Sequence, residues 1–183
     1  MSALVSAARF SAAQNFTGYL KTVRQNAELW AGVYRTASVP VELLARARSL
    51  PNRWHLLALS EDWCGDAVNS LPVLAKLTEQ VPSLDLRFVG RDQNPDLMDS
   101  HLTGLSRSIP VVMVLDSDLE ERGWWGPRPA ALQAWFDGEE AQTMDKDERY
   151  TRIRTWYARD RGRTILDEVL RIVERSTESV RSA

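Results

Sequence analysis

Hydrophobic positions in this chain follow two periods, and the elements change where the period changes. Beginning at Asn15, the residues Phe16, Tyr19, Leu20, Val23, Ala27, Trp30, Val33 and Tyr34 follow at three- and four-residue steps. That spacing predicts one amphipathic helix. Ser38-Val39-Pro40 interrupts it, and Pro40 suits the first turn of a second helix reaching Ala47. Residues up to about Ala13 are small and polar and are expected to be loosely ordered. Residues 54–60 are nearly all apolar, as in a central strand covered on both faces. Val68, Leu71, Leu74, Ala75 and Leu77 then give a helix over 64–80, with a kink expected at Pro72. Residues 84–89 alternate and read as the next parallel strand, closing a right-handed strand–helix–strand unit.

Beyond it, the pattern predicts a short helix over 96–102 ending near Gly104 and a strand over 110–115. An edge strand over 122–125 forms a hairpin with that strand, placing the adjacent Trp124 and Trp125 on opposite faces. Gly126-Pro127-Arg128-Pro129 leads into a helix carrying Leu132, Trp135 and Phe136. Tyr150, Ile153, Trp156 and Tyr157 share one face of a helix over 146–159. Gly162 breaks the phase, and Thr164 with Asp167 resembles a capping box. Ile165, Leu166, Val169, Leu170, Ile172 and Val173 form the stripe of a last helix, expected to fray from Ser176.

Composition narrows the picture. At 183 residues the chain is read as a single domain, 1–183, with one core. Net charge is −2 with both signs dispersed, and no basic patch argues for nucleic acid. No apolar run is long enough to span a membrane, and the first residues lack the basic start and apolar region of a secretory signal. A single cysteine excludes an internal disulfide framework and fits a reducing compartment. The expectation is therefore a cytoplasmic protein without nucleic-acid or membrane partners. One Cys and two His, His55 and His101, argue against a structural zinc site, and His101 reads as a surface helix residue.

The chemistry centres on Leu59-Ser60-Glu61-Asp62-Trp63-Cys64-Gly65-Asp66-Ala67. Cys64 falls where a strand hands over to a helix N-terminus, where free N–H groups and the dipole favour a thiolate. This placement argues for an exposed active-site thiol rather than a core cysteine. Asp66 has two readings. It can cap the first helical turn, and its charge also disfavours a thiolate two residues away. Arg91, Asp92 and Arg107 read as solvated loop charges.

Trp63-Cys64-Gly65-Asp66-Ala67 resembles the thioredoxin motif Trp-Cys-Gly-Pro-Cys with Ala67 in place of the second cysteine. Asp92-Gln93-Asn94-Pro95 resembles the segment after the family's next strand, and Ser108-Ile109-Pro110-Val111-Val112-Met113-Val114 its Ile-Pro strand. The resemblance is greatest to a bacterial branch carrying Trp-Cys-Gly-Asp with helices added at both ends. It implies an α/β fold, with a thioredoxin-like core over 51–138 and a mixed central sheet flanked by helices. An N-terminal helical extension over 14–50 and a C-terminal one over 143–178 complete it. It implies further that Cys64 is the nucleophile and that Trp63, Gly65, Asp66, Ala67, Ile109 and Pro110 are its neighbours. In the family Ile109-Pro110 is cis and lies beside the thiol, leaving a backbone edge for an extended peptide.

Ala67 has no thiol to resolve a mixed disulfide. Ala58 stands where the family's buried acid serves that step. The resemblance then implies a monothiol oxidoreductase exchanging with protein or small-molecule disulfides. Glutathione or another external thiol resolves the adduct as co-substrate, and no bound cofactor or metal is expected. The alternative is a redox-inactive binding module using the cis-proline groove for a protein partner. Iron–sulfur binding as in monothiol glutaredoxins is disfavoured by Glu61 and Asp62, where those proteins carry a lysine. Peroxiredoxin chemistry fails because Glu61 occupies the required threonine position.

Overall fold

The computed structural model describes residues 4–181. In chain order the elements are α1 (Ala7–Ala12), α2 (Phe16–Thr22), α3 (Ala27–Thr36), α4 (Val41–Arg48), β1 (Trp54–Ser60), α5 (Gly65–Gln80) and β2 (Leu84–Gly90). They continue with α6 (Pro95–Asp99), β3 (Val111–Leu115), β4 (Glu121–Trp125), α7 (Ala130–Asp137), α8 (Glu139–Thr143), α9 (Lys146–Asp160) and α10 (Arg163–Arg181). One four-stranded sheet has the order β2-β1-β3-β4. β1 runs parallel to β2 and antiparallel to β3, and β4 closes a hairpin with β3. The sheet is mixed and helix-flanked, with helices at both chain ends, as the sequence predicts.

Leu56, Leu57, Ala58 and Leu59 of β1 have no solvent exposure, and every residue of β3 is likewise sealed. Continuous apolar runs suit strands covered on both faces. α2 lies on β2, where Tyr19 stacks on Phe88 with ring centroids 4.7 Å apart. α10 packs on β4, α5 and α4. The outer edge of β2 is closed by Gln14, which exchanges two backbone hydrogen bonds with Phe88. Pairing that edge removes an open template for aggregation.

Four local readings are corrected. The predicted single helix from Asn15 is two, α2 and α3, because Asn26 adopts a left-handed conformation with φ 58°. The segment before Ala13 holds an ordered helix, α1, capped by Ser6, with Val5 and Phe10 buried and Arg9 paired to Asp96 at 2.7 Å. Residues 1–3 of that segment lie outside those described. α10 starts without the Thr164/Asp167 capping box. Asp160 accepts from the Thr164 N–H at 3.0 Å, and Asp167 turns instead to Arg46 of α4. Helix continues past Ser176 to Arg181, and residues 182–183 lie outside those described.

His101 is not a surface residue. It is buried, its Nδ1 lies 2.7 Å from the Leu97 carbonyl and its Nε2 2.9 Å from Glu121, and its ring meets Trp124 edge-on. Burial alone pushes its pKa down, but the Glu121 carboxylate and the Leu97 carbonyl outweigh it, so the pKa is raised. A raised folded-state pKa contributes stability that is complete below the unfolded value, about 6.5, and is lost as pH rises through the folded value. Stability from urea unfolding is therefore expected to fall by ~1 kcal/mol as pH rises from about 6 across that range. Glu121→Gln should flatten the fall.

Candidate active site

The antiparallel pairing of β3 with β1 sets Val111 against Leu59, so the residues before β3 lie beside the turn that leaves β1. That turn runs from Glu61 to Cys64, closed by the Cys64 N–H donating to the Glu61 carbonyl at 3.1 Å. Cys64 is the N-cap of α5, and its carbonyl accepts the first helical hydrogen bond, from Val68, at 3.0 Å. Its Sγ donates to the Ile109 carbonyl at 3.3 Å across 45 residues of sequence. The Ile109-Pro110 bond is cis. Gly126, at φ +130°, backs Pro110 so closely that a Cβ would sit 2.1 Å from the Pro110 carbonyl oxygen. Only glycine tolerates that backbone and that approach.

The turn is anchored from the N-terminal side. One oxygen of Asp62 accepts from the Arg24 and Gln25 N–H groups at 2.6 and 2.9 Å. The Asp62 carbonyl takes the Trp30 indole N–H at 3.0 Å. Trp63 is 43% exposed, with the Arg91 guanidinium 5.0 Å from its ring centre. Arg91 is thus more than a solvated loop charge, and it also pairs with Asp92 at 2.9 Å. Arg107 pairs with Asp99.

Asp66 departs from the cap reading, since it is buried and its oxygens face other elements, whereas its charge does oppose the thiolate. Arg128 Nη2 lies 2.7 Å from Oδ2, and the Tyr157 hydroxyl donates to Oδ1 at 2.9 Å. Burial pushes the Asp66 carboxyl up, against the opposing pull of Arg128 and Tyr157. Ala67 and Ala58 are fully enclosed. Among the described residues no cluster of three His, Cys, Asp or Glu side chains is placed to hold a metal ion.

A family model described as Thioredoxin matches residues 13–144. The chain belongs to the thioredoxin family. Two solved structures resemble this thioredoxin-family chain across nearly all of its length. A Pseudomonas aeruginosa protein of unknown function aligns with TM-score 0.75 and 22% identity, covering 93% of this chain and 98% of the other. An HIV epitope scaffold aligns with TM-score 0.74 and 22% identity over the same shares. At that identity the likenesses establish the fold alone. No curated protein matches the sequence.

Within this thioredoxin-family frame the structure brings Cys64, Gly65, Asp66, Ala67, Ile109 and Pro110 to one end of the sheet, with Trp63 at the rim. Arg128 and Tyr157 were missed as partners. Nothing local marks them, because each belongs to an element far along the chain. The one available signal was a carboxylate in the first turn of a helix whose neighbours are apolar, which demands a buried counter-charge.

The expectation of an exposed thiol is corrected. Cys64 is 7% exposed, and its pKa is pushed up from 9.0 to about 11. Burial is the main cause and the Asp66 charge adds to it, while the Ala67 and Asp66 backbone N–H groups and Arg128 pull the other way. The helix N-terminus therefore acts as sequence reasoning expects, but desolvation wins. Alkylation of Cys64 in the native protein should titrate with a pKa near 11. In urea it should fall to the ordinary range, about 8.5. A native value below 8.5 would contradict this geometry.

Proposed function

We propose that the chain is a single-thiol member of the thioredoxin family that captures disulfides slowly at Cys64 and is resolved by an external thiol. It fits the bacterial branch carrying Trp-Cys-Gly-Asp. The observation that supports this reading is the Cys64 thiol set against the Ile109 carbonyl at the helix N-terminus, with Ala67 where a second thiol would stand. In the first step the Cys64 thiolate attacks one sulfur of an oxidised partner. The partner's S–S bond breaks, a Cys64 mixed disulfide forms, and the leaving thiolate takes up a proton. In the second step an external thiolate such as glutathione attacks that adduct at the partner's sulfur. The partner leaves joined to it by a new disulfide, and the Cys64 thiolate is regenerated. A second external thiol then completes reduction of the partner.

Magnitudes limit the rate. A thiol about two units above its free value has about a hundredth of the thiolate. Its greater intrinsic nucleophilicity returns about tenfold of that loss. Attack therefore runs near a tenth of the rate of a free cysteine, which suits capture better than rapid turnover. The same burial supports the second reading, a binding module in which the Ile109 backbone pairs with an extended partner segment and Cys64 is not oxidised.

Incubation with glutathione disulfide at pH 8–9 is expected to give a Cys64–glutathione adduct by intact mass, and Cys64→Ser none. Reductase-coupled turnover is expected to be absent, and appreciable turnover would overturn the single-thiol reading. Failure to form the adduct, with partner binding unchanged in Cys64→Ser, would leave the binding module.

A further inference from the structure

We propose that Arg128 and Tyr157 are positioning residues for the Cys64 thiol, occupying both oxygens of the Asp66 carboxylate so that its charge is opposed by them and the sulfur feels only the balance. The functional meaning of this inference rests on the thiol-exchange reading, but its geometry does not. Asp66 follows Cys64 by two residues on α5 and is buried. Arg128 comes from the loop between β4 and α7, and Tyr157 from α9, so three separate elements meet on one carboxylate.

Arg128 is itself fixed. Its Nη1 donates to Gln133 Oε1 at 3.1 Å, and its guanidinium lies 4.0 Å from the centre of the Phe136 ring. The other charges near the thiol are already engaged. Asp62 accepts from the Arg24 and Gln25 N–H groups, and Glu61 accepts from the Asp92 N–H at 3.0 Å. Tyr19, on the N-terminal side, is neutral, because burial pushes its pKa to about 12. Asp66 and Arg128 are therefore the two charges whose balance the thiol feels.

A buried ion pair is a poor source of net stability compared with apolar residues of the same volume. A pair too remote to act on the sulfur would leave the thiol indifferent to which partner is removed. The positioning role makes the two removals opposite in sign. Asp66→Asn leaves the Arg128 charge unopposed and favours the thiolate. Arg128→Met leaves an unmatched carboxylate and disfavours it.

The test is the rate of Cys64 alkylation by iodoacetamide at fixed pH 8.5 in the native protein. Asp66→Asn is expected to raise it about tenfold and Arg128→Met to lower it about tenfold, one pKa unit each way. Tyr157→Phe should lower it by a smaller factor, and Arg128→Lys should restore it to within about threefold of the parent. Rates that move in the same direction for Asp66→Asn and Arg128→Met, or do not move, would overturn the proposal. If Arg128→Met does not fold, Asp66→Asn is compared with Asp66→Asn/Arg128→Met, in which the pair is replaced by two neutral side chains. The double variant should alkylate about tenfold more slowly than the single, and equal rates would overturn the proposal. Alkylation needs no disulfide partner. Opposite shifts without glutathione adducts would therefore sustain the positioning role while removing the exchange reading.

Discussion

Burial of β1 is the constraint on which the structure depends. The strand is enclosed on both faces and paired along both edges, so its chain reaches the surface only at its ends. The carboxyl end is where α5 begins, and a helix that follows a buried strand presents its free N–H groups there. β3 runs antiparallel, so its amino end arrives at that same place. The meeting of Cys64 with Ile109 follows from strand direction and register, since no local sequence relation joins residues 45 positions apart.

The terminal extensions complete the enclosure. Trp30 of α3 is fully buried, with its ring edge-on to Tyr19, and covers the approach to the Glu61–Cys64 turn. On the opposite end of the chain, Glu168 of α10 accepts the Trp125 indole N–H at 2.7 Å and the Ala130 N–H at 2.9 Å. It thereby tethers β4 and supplies the helix cap that Pro129 cannot make. Arg46 of α4 reaches both Asp167 and Glu174 of α10, joining the two extensions directly. One apolar cluster runs from Val5 to Val173 without interruption.

The strands and α5 were legible because each is dominated by its own periodicity, and the Ile109-Pro110 segment because its residue types are distinctive. Legibility ended where an outcome depends on distant cover. The helix N-terminus at Cys64 predicts an acidic thiol, yet desolvation is a property of everything packed above it and no local pattern encodes it. His101 read as solvated because polar residues on short helices usually are, while Glu121, 20 positions on, supplies its buried partner. Tyr157 read as one of four residues on a helical face, and its bond to Asp66 appears only when α9 is folded back onto α5, 91 residues away. The break at Asn26 was hidden because apolar spacing continues in phase across it.

The anchoring of Asp62 has a consequence for what counts as the smallest working unit. The donors that hold this residue, two positions before the thiol, all come from Arg24, Gln25, Asn26 and Trp30. A polypeptide cut back to the sheet and its immediate helices would keep Trp63 and Cys64 in sequence but lose the scaffold that fixes their approach. The segment N-terminal to the sheet is thus a built-in template for the loop.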